Sequence, residues 1–186
     1  MTPPSVNGNI VYVGGAEKTG SKPIQAIMYA INITDGSVKW KYEGQTNMGI
    51  EHISCNKNTT AIYALVAEST QSAPNFFIYA FDSVKGHILW NKRLPKNIIT
   101  DTLILSPDNE TLYFVAAYTG TYYAYDTSKG SQKWKYTYPN STQEFVFTDP
   151  CVSADNKIMY FTSSGINGTD YITGCLDASD GSLIWD

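Results

Sequence analysis

The chain has 186 residues, a net charge of −4 and only 3 cysteines. A negatively charged chain has no electrostatic footprint for nucleic acid, so we do not expect nucleic acid as a partner. No run of about 18 apolar residues occurs, and no membrane span is predicted. The first residues, MTPPSVNGNI, lack the apolar core of a secretory signal. A chain of this length can bury a sizeable core as one domain.

One short motif occurs four times along the chain. It is YAINITDGSVKW at 29–40, YAFDSVKGHILW at 79–90, YAYDTSKGSQKW at 123–134 and GCLDASDGSLIW at 174–185. Counting from a small residue, an acid or amide follows at +2, a glycine at +6 and a tryptophan at +10. These positions are Ala30, Asn32, Gly36, Trp40; Ala80, Asp82, Gly86, Trp90; Ala124, Asp126, Gly130, Trp134; and Cys175, Asp177, Gly181, Trp185. All 4 tryptophans of the chain end such a motif, so the protein is predicted to be a repeat array.

A tyrosine precedes each motif at a similar distance. The four tyrosines are Tyr12, Tyr63, Tyr113 and Tyr160, which are 51, 50 and 47 residues apart. This period is longer than that of helical repeats and suits a four-stranded blade. The predicted repeats are 1–46, 47–96, 97–139 and 140–186.

The composition favours strands throughout these repeats. Aromatic residues make up 13% of the chain, and glycine and proline separate short apolar runs that show no helical period. We expect strands at 49–55, 61–68, 76–82 and 87–94; at 99–105, 111–118, 121–126 and 131–138; and at 144–152, 157–163, 170–177 and 182–186. The first repeat is expected to lack most of one strand. Four repeated sets of short strands indicate an all-β protein, a β-propeller of four-stranded antiparallel blades.

Each motif residue has a structural role that its chemistry suggests. Asp126 is expected to accept hydrogen bonds from backbone N–H groups two residues on, and Gly130 to supply a positive φ in the hairpin loop. Trp134 is expected to bury on the order of 200 Å² against the neighbouring blade, with the small Ala124 leaving room for its ring. We therefore interpret the motif as structural rather than catalytic. Tyr138 is expected to lie on the surface.

The pattern A-x-D-x-x-x-G-x-x-x-W resembles the tryptophan-docking repeat of the quinoprotein-type propellers, the PQQ-like repeats. Only Cys175, in place of alanine, and Asn32, in place of the acid, depart from it. The resemblance covers essentially the whole chain. It implies a β-propeller, with the four repeats forming part of a seven- or eight-bladed ring. A closed four-bladed ring is the alternative, because propellers have from four to eight blades. The family includes dehydrogenases that use pyrroloquinoline quinone and the cofactor-free assembly lipoprotein of the BamB type.

The features that the resemblance associates with alcohol oxidation have no counterpart in this sequence. Those dehydrogenases carry calcium, a catalytic Asp, basic residues that hold the quinone, and a disulfide between adjacent cysteines. Here the cysteines are far apart, there is a single arginine, and the two histidines lack metal-ligand spacing; these residues are Cys55, Cys151, Cys175, Arg93, His52 and His87. We therefore assign no catalytic, cofactor-binding or metal residue and expect no cofactor. Pyrroloquinoline quinone with calcium is expected only under the alternative function below.

Two further patterns are interpreted as structural. The glycine-rich GGAEKTG at 14–20 follows a predicted strand without opening a helix, so it is expected to be a hairpin loop rather than a phosphate site. Lysines that flank two of the tryptophans are expected to form a solvated strand face; they are Lys39, Lys41, Lys133 and Lys135.

Asparagine sequons give an indication of compartment. Candidate N-glycosylation sites are Asn58, Asn109, Asn140 and Asn167, whereas Asn32 lies inside a motif and would be a poor acceptor. They favour a periplasmic, secreted or luminal parent protein. The three cysteines fit either a reducing compartment or one disulfide with a free thiol.

Two hypotheses of function follow. The first is a non-catalytic propeller that binds a protein or glycan partner across its loop-rich face. The second is a fragment of a pyrroloquinoline-quinone-dependent dehydrogenase whose cofactor site is completed elsewhere. Because the repeats fill about half of such a ring, we also expect a homodimer that completes it, since open blade edges invite pairing.

Overall fold

The protein is described by a computed structural model over residues 2–18, 20–21, 23–56, 59–71, 73–96, 98, 100–139, 145–165 and 171–186. All regular elements in these ranges are β-strands, as predicted. No helix within these ranges is long and apolar enough to cross a membrane. The chain divides into two compact units, residues 1–103 and 104–186.

The first unit contains two four-stranded antiparallel sheets, each a simple meander. The first sheet consists of β1 (Ser5–Asn7), β2 (Ile10–Glu17), β3 (Gln25–Asn32) and β4 (Val38–Thr46). The second consists of β5 (Met48–Ser54), β6 (Ala61–Glu68), β7 (Asn75–Asp82) and β8 (Ile88–Arg93). The first repeat therefore has all four strand positions, although its first strand is short.

The second unit repeats this plan. Its first sheet consists of β9 (Ile104–Leu105), β10 (Thr111–Ala116), β11 (Thr121–Asp126) and β12 (Gln132–Thr137). Its second sheet consists of β13 (Phe145–Phe147), β14 (Cys151–Val152), β15 (Ile158–Gly165), β16 (Tyr171–Asp177) and β17 (Leu183–Trp185). Both β13 and β14 pair with β15, so they share one strand position.

The predicted strands agree with the structure except at the first position of the third and fourth repeats. The strand expected at 99–105 is reduced to β9; Leu103 just before it donates its backbone N–H to Nδ1 of His52, 2.9 Å away. The strand expected at 144–152 is interrupted between β13 and β14, where Pro150 has no N–H to give to a ladder. Residues 99 and 144 lie outside the described ranges.

The core of each unit forms where its two sheets pack together. The middle strands β6 and β10 are buried on both faces, which explains their nearly continuous apolar sequences. Outer strands such as β12 alternate between buried or half-buried aromatics and exposed lysines.

Gly14 lies close to the second sheet of the first unit, because a Cβ there would lie 3.0 Å from the side chains of Ile50 and Ile53. The segment GGAE at 14–17 belongs to β2, so the expectation that a hairpin loop begins at Gly14 was wrong.

Candidate functional site

Each of the four sheets places a tyrosine, a small residue and a tryptophan side by side on three neighbouring strands. In the first sheet Tyr12 is opposite Ala30, and Ala30 is opposite Trp40. The equivalent rows are Tyr63, Ala80, Trp90; Tyr113, Ala124, Trp134; and Tyr160, Cys175, Trp185. Opposed residues share a face of the sheet, so the two rings approach each other across the small residue. The ring centroids of Tyr12 and Trp40 are 5.7 Å apart.

The motif turn that follows the third strand has a fixed hydrogen-bond pattern. In the third repeat, the Asp126 carboxylate accepts from the backbone N–H groups of Ser128 and Lys129, at 2.9 and 3.1 Å. Gly130 donates its N–H to the Asp126 carbonyl at 2.9 Å and has φ 65°. The turns at Asn32, Asp82 and Asp177 close in the same way, with glycine φ values of 71°, 72° and 77°.

These turn contacts lower the pKa of three motif carboxyl groups. The Ser128 and Ser179 hydroxyl groups are the main cause for Asp126 and Asp177, and the backbone N–H of Lys85 is the main cause for Asp82. All three carboxyl groups are exposed to solvent, so each effect is small. Hydrogen bonds to the charged form favour ionisation, so the carboxylates hold the turns closed.

In the first unit, the aromatic row of the first sheet contacts the motif turn of the second. Trp40 Nε1 and the Tyr12 hydroxyl both donate to the backbone carbonyl of Ser83, at 3.1 and 3.0 Å. The indole also covers Gly86, where an added Cβ would lie 2.5 Å from the ring. We call the two donors and the carbonyl that receives them the aromatic clamp.

The second unit contains the same clamp. Trp134 Nε1 and the Tyr113 hydroxyl donate to the backbone carbonyl of Ala178, at 3.0 and 3.2 Å. A Cβ added to Gly181 would lie 2.6 Å from the Trp134 ring. The motif glycine therefore has two functions, since it adopts a positive φ and leaves space for the tryptophan of the preceding repeat.

A cleft of about 650 Å³ lies beside the clamp of the first unit. The buried Tyr12 and Ala30 are among its lining residues, and burial raises the pKa of the Tyr12 hydroxyl to about 12. Lys39, Thr59 and Val84 also line it, and Val84 is 78% exposed. The repeat cleft, as we call it, thus combines apolar and polar groups at the end of the sheets that carries the motif turns.

The cysteines, the arginine and the histidines do not form a common site in the described part of the chain. Cys55 is half-buried, Cys151 is exposed and Cys175 is buried, and none of the three forms a disulfide. Arg93 donates to the side-chain oxygen of Asn75 at 2.6 Å, and His87 is exposed. No group of three His, Cys, Asp or Glu side chains in the described ranges could hold a metal ion. The four lysines that flank Trp40 and Trp134 are exposed.

Two surface assignments can be compared with the structure. Tyr138 is half-buried, with its ring centroid 5.8 Å from that of Phe147, so the expectation that it is a surface residue was wrong. Asn109 is half-buried in a turn with φ 68°, and its glycosylation stays a prediction. The other candidate acceptors, Asn58, Asn140 and Asn167, lie outside the described residues. Asn32 uses its side-chain oxygen to accept from the Thr34 N–H.

Comparison with solved structures shows the fold. The chain is similar to BamB from Moraxella catarrhalis, with 16% identity and a TM-score of 0.62 over 99% of this chain and 47% of that one. It is also similar to a periplasmic gluconolactonase from Pseudomonas aeruginosa, with 15% identity and a TM-score of 0.62 over 96% of this chain and 53% of that one. A third similar structure is the β-propeller domain of the Trilobed protease from Pyrococcus furiosus, with 11% identity and a TM-score of 0.65 over 99% of this chain and 55% of that one. The chain thus spans about half the length of these proteins.

Four-stranded sheets joined by aromatic clamps define a β-propeller protein of PQQ-like repeats. A family model described as outer membrane protein assembly factor BamB matches residues 72–186. The chain belongs to this family. No curated protein sequence matches it.

Replacing a clamp tryptophan should be costly. Trp134→Ala removes a buried ring and leaves the Ala178 carbonyl with one donor fewer, so we expect a loss of roughly 3–5 kcal/mol in the free energy of unfolding. Urea titration measures this loss. Tyr118→Ala, at a tyrosine that is 50% exposed, is the control and should change stability far less. Equal small losses in both variants would contradict the importance of the clamp.

The turn carboxylates should make the fold sensitive to acid. Since the folded pKa values of Asp82, Asp126 and Asp177 lie below the ordinary value near ~4, their stabilisation is present above that pH and is lost as the pH falls through the folded values. Asp126→Asn keeps an acceptor oxygen that does not titrate, so it should weaken this acid dependence. Asn32→Asp should strengthen it. Urea unfolding midpoints measured from neutral to acid pH test both variants. If the midpoints of both variants depend on pH as the wild-type midpoint does, the turn carboxylates do not have this role.

Proposed function

We propose that the chain is a non-catalytic scaffold that binds a protein partner through the repeat cleft. The family description names an assembly factor, which supports a protein as the partner. Propeller folds host many functions, so the fold alone does not choose among them. The repeat cleft is the observation that carries the proposal.

The lining of the repeat cleft suits an extended peptide segment. Val84 offers an exposed apolar side chain, and Lys39 and Thr60 offer exposed polar ones. Asn7 holds one wall of the cleft by donating to the Thr59 carbonyl at 2.7 Å. Because the two sheets and the clamp fix these groups, binding would require little ordering of the protein, which favours affinity.

The residues present do not fit a quinone and calcium site. Calcium takes six or more oxygen ligands, of which carboxylates are the strongest. The motif carboxylates Asp82, Asp126 and Asp177 already accept hydrogen bonds within their own turns. Arg93, the single arginine, bonds to Asn75. We therefore propose no reaction through such a group.

Selection from a random peptide library displayed on phage tests the cleft directly. We expect peptides that bind the chain, and Val84→Asp should weaken their binding about tenfold or more, because it replaces the main exposed apolar group of the cleft with a charge. Calorimetry with a synthetic selected peptide measures the dissociation constant.

Ile24→Asp is the matched control, since Ile24 is 47% exposed in the same unit but does not line the cleft. It should leave binding unchanged. A glycan array screened in parallel would favour a glycan partner if only glycans bind and Val84→Asp abolishes that binding. Peptides that bind both variants equally would contradict the proposed site.

The absence of a cofactor can be tested separately. We expect no heat of binding when pyrroloquinoline quinone is titrated into the chain with calcium chloride present, because the carboxylates and the arginine are used within the fold. A known quinoprotein dehydrogenase serves as the positive control. Stoichiometric binding at micromolar concentration would overturn this expectation and favour the dehydrogenase hypothesis.

A further inference from the structure

The two units follow the same plan, so residues that line the repeat cleft of the first unit have equivalents in the second. Lys39 and Lys133 each come directly before the clamp tryptophan of their sheet. Ile10 and Thr111 each begin a strand, two residues before the clamp tyrosine. A difference between the units at these positions therefore marks a property of the repeat cleft that the shared fold does not require.

The lysine of the second unit is held by groups of its own sheet. Lys133 Nζ donates to the Thr111 hydroxyl at 2.8 Å. The Ser128 hydroxyl is the main cause of the lowered pKa of Asp126, and the charge of Lys133 contributes to it. Lys133 thus has both an acceptor and a counter-charge inside the fold.

The first unit lacks both of these partners. The position of the threonine holds Ile10, whose side chain cannot accept a hydrogen bond, and the position of the acid holds Asn32, which carries no charge. Within the described part of the chain, the exposed Lys39 side chain makes no hydrogen bond and no ion pair. The Asp35 carboxylate lies within electrostatic range of Lys39, but it accepts the Ser37 N–H at 2.9 Å in its own turn. The ammonium group of Lys39 is therefore available to a group from outside the chain.

Asp82 is the second charged residue that the structure places along the repeat cleft. Its carboxylate accepts from the N–H groups of Val84 and Lys85, at 3.0 and 2.7 Å, and Lys85 and His87 lie within electrostatic range of it. Its charge is therefore balanced at its own turn. Val84 offers an apolar side chain that is 78% exposed. Here too the units differ, since the equivalent residue is Ser179, whose hydroxyl bonds within its own turn.

We propose that the segment bound in the repeat cleft carries an acidic side chain, an aspartate or glutamate that pairs with Lys39, beside an apolar side chain that packs against Val84. The inference rests on the proposed function and adds the chemistry of the partner to it. Both internal partners of the lysine are replaced in the sheet that forms the cleft, which leaves one cation and one apolar group for the partner. Charge complementarity selects a partner and fixes its orientation, which apolar contact alone does not do.

The peptides selected by phage display test the inference through their sequences and through a double-mutant cycle. We expect the selected sequences to be enriched in aspartate and glutamate over the unselected library. Lys39→Gln, and replacement of the acid of the peptide by its amide, should each weaken binding about threefold, as loss of an exposed ion pair does. The two changes together should weaken binding little more than either alone, because both remove the same interaction. Calorimetry at low ionic strength measures the four dissociation constants, since salt screens exposed charges.

Charge reversal gives a sharper result. Lys39→Glu should weaken binding about tenfold, and a peptide with lysine in place of its acid should recover that loss. Lys41→Glu is the matched control, because Lys41 lies on the same strand, pairs with Glu43 and does not line the cleft, while the variant changes the net charge equally. It should leave binding nearly unchanged. Equal weakening by the two variants would show an effect of net charge and overturn the assigned contact.

A pair of variants at Ile10 tests whether the missing acceptor matters. Ile10→Thr supplies the hydroxyl that Thr111 supplies in the second unit, so it should hold Lys39 within the fold and weaken peptide binding about threefold. Ile10→Val is the matched control, since valine has nearly the shape of threonine but no hydroxyl. It should bind the peptide more tightly than Ile10→Thr does. Equal affinities of the two variants would count against a free ammonium group as the reason for the acidic preference.

The outcomes separate this inference from the proposed function. If peptides bind and Val84→Asp weakens them, but they lack an acid or show no coupling to Lys39, the cleft binds peptides and the acidic contact is wrong. If no selected peptide depends on Val84, the proposed function fails and the inference fails with it.

Discussion

The carbonyl that follows each motif acid is the point on which the contact between repeats depends. In both units it accepts two hydrogen bonds from aromatic side chains of the preceding repeat. A buried carbonyl without partners would be costly, and a buried tyrosine hydroxyl or indole N–H would be costly as well. One acceptor satisfies both donors at once. The two rings can therefore be largely buried between sheets without leaving these polar groups unpaired.

The rest of the motif follows from this contact. The turn must present its carbonyl outward, which the acid ensures by accepting hydrogen bonds from the backbone N–H groups of the second and third residues after it, Val84 and Lys85 in the second repeat. The glycine must be bare, because the indole of the preceding repeat lies where a Cβ would be. The middle residue must be small, since tyrosine and tryptophan meet across it. Each requirement supports the others, so loss of one residue should weaken the whole contact rather than one bond of it.

Much of this could be predicted from the sequence, because the acid, glycine and tryptophan each have a residue type that their role demands. The tyrosine was aligned across the repeats, but its role as second donor was missed, since it depends on the strand register. The acceptor could not be recognised either: it is a backbone carbonyl, and its residue can be Ser83 or Ala178. Pro150 was a visible signal for the interrupted strand. The repeat cleft left no signal, because it arises from the packing of two sheets.

The clamp also indicates where repeats are free to differ. The contact between repeats uses the acid, the carbonyl after it, the glycine and the aromatic pair. Among the described residues, the side chain two positions after the acid makes no hydrogen bond with the neighbouring repeat's aromatic pair, and where it is Ser128 or Ser179 its hydroxyl bonds to the acid of its own turn. That position holds Thr34, Val84, Ser128 and Ser179 in the four repeats, and Val84 alone is apolar. Val84 is 78% exposed and lacks the hydroxyl with which serine bonds to the turn carboxylate, so it gives the turn less than serine would. Its place on the repeat cleft therefore supports the proposed binding role rather than a role in folding.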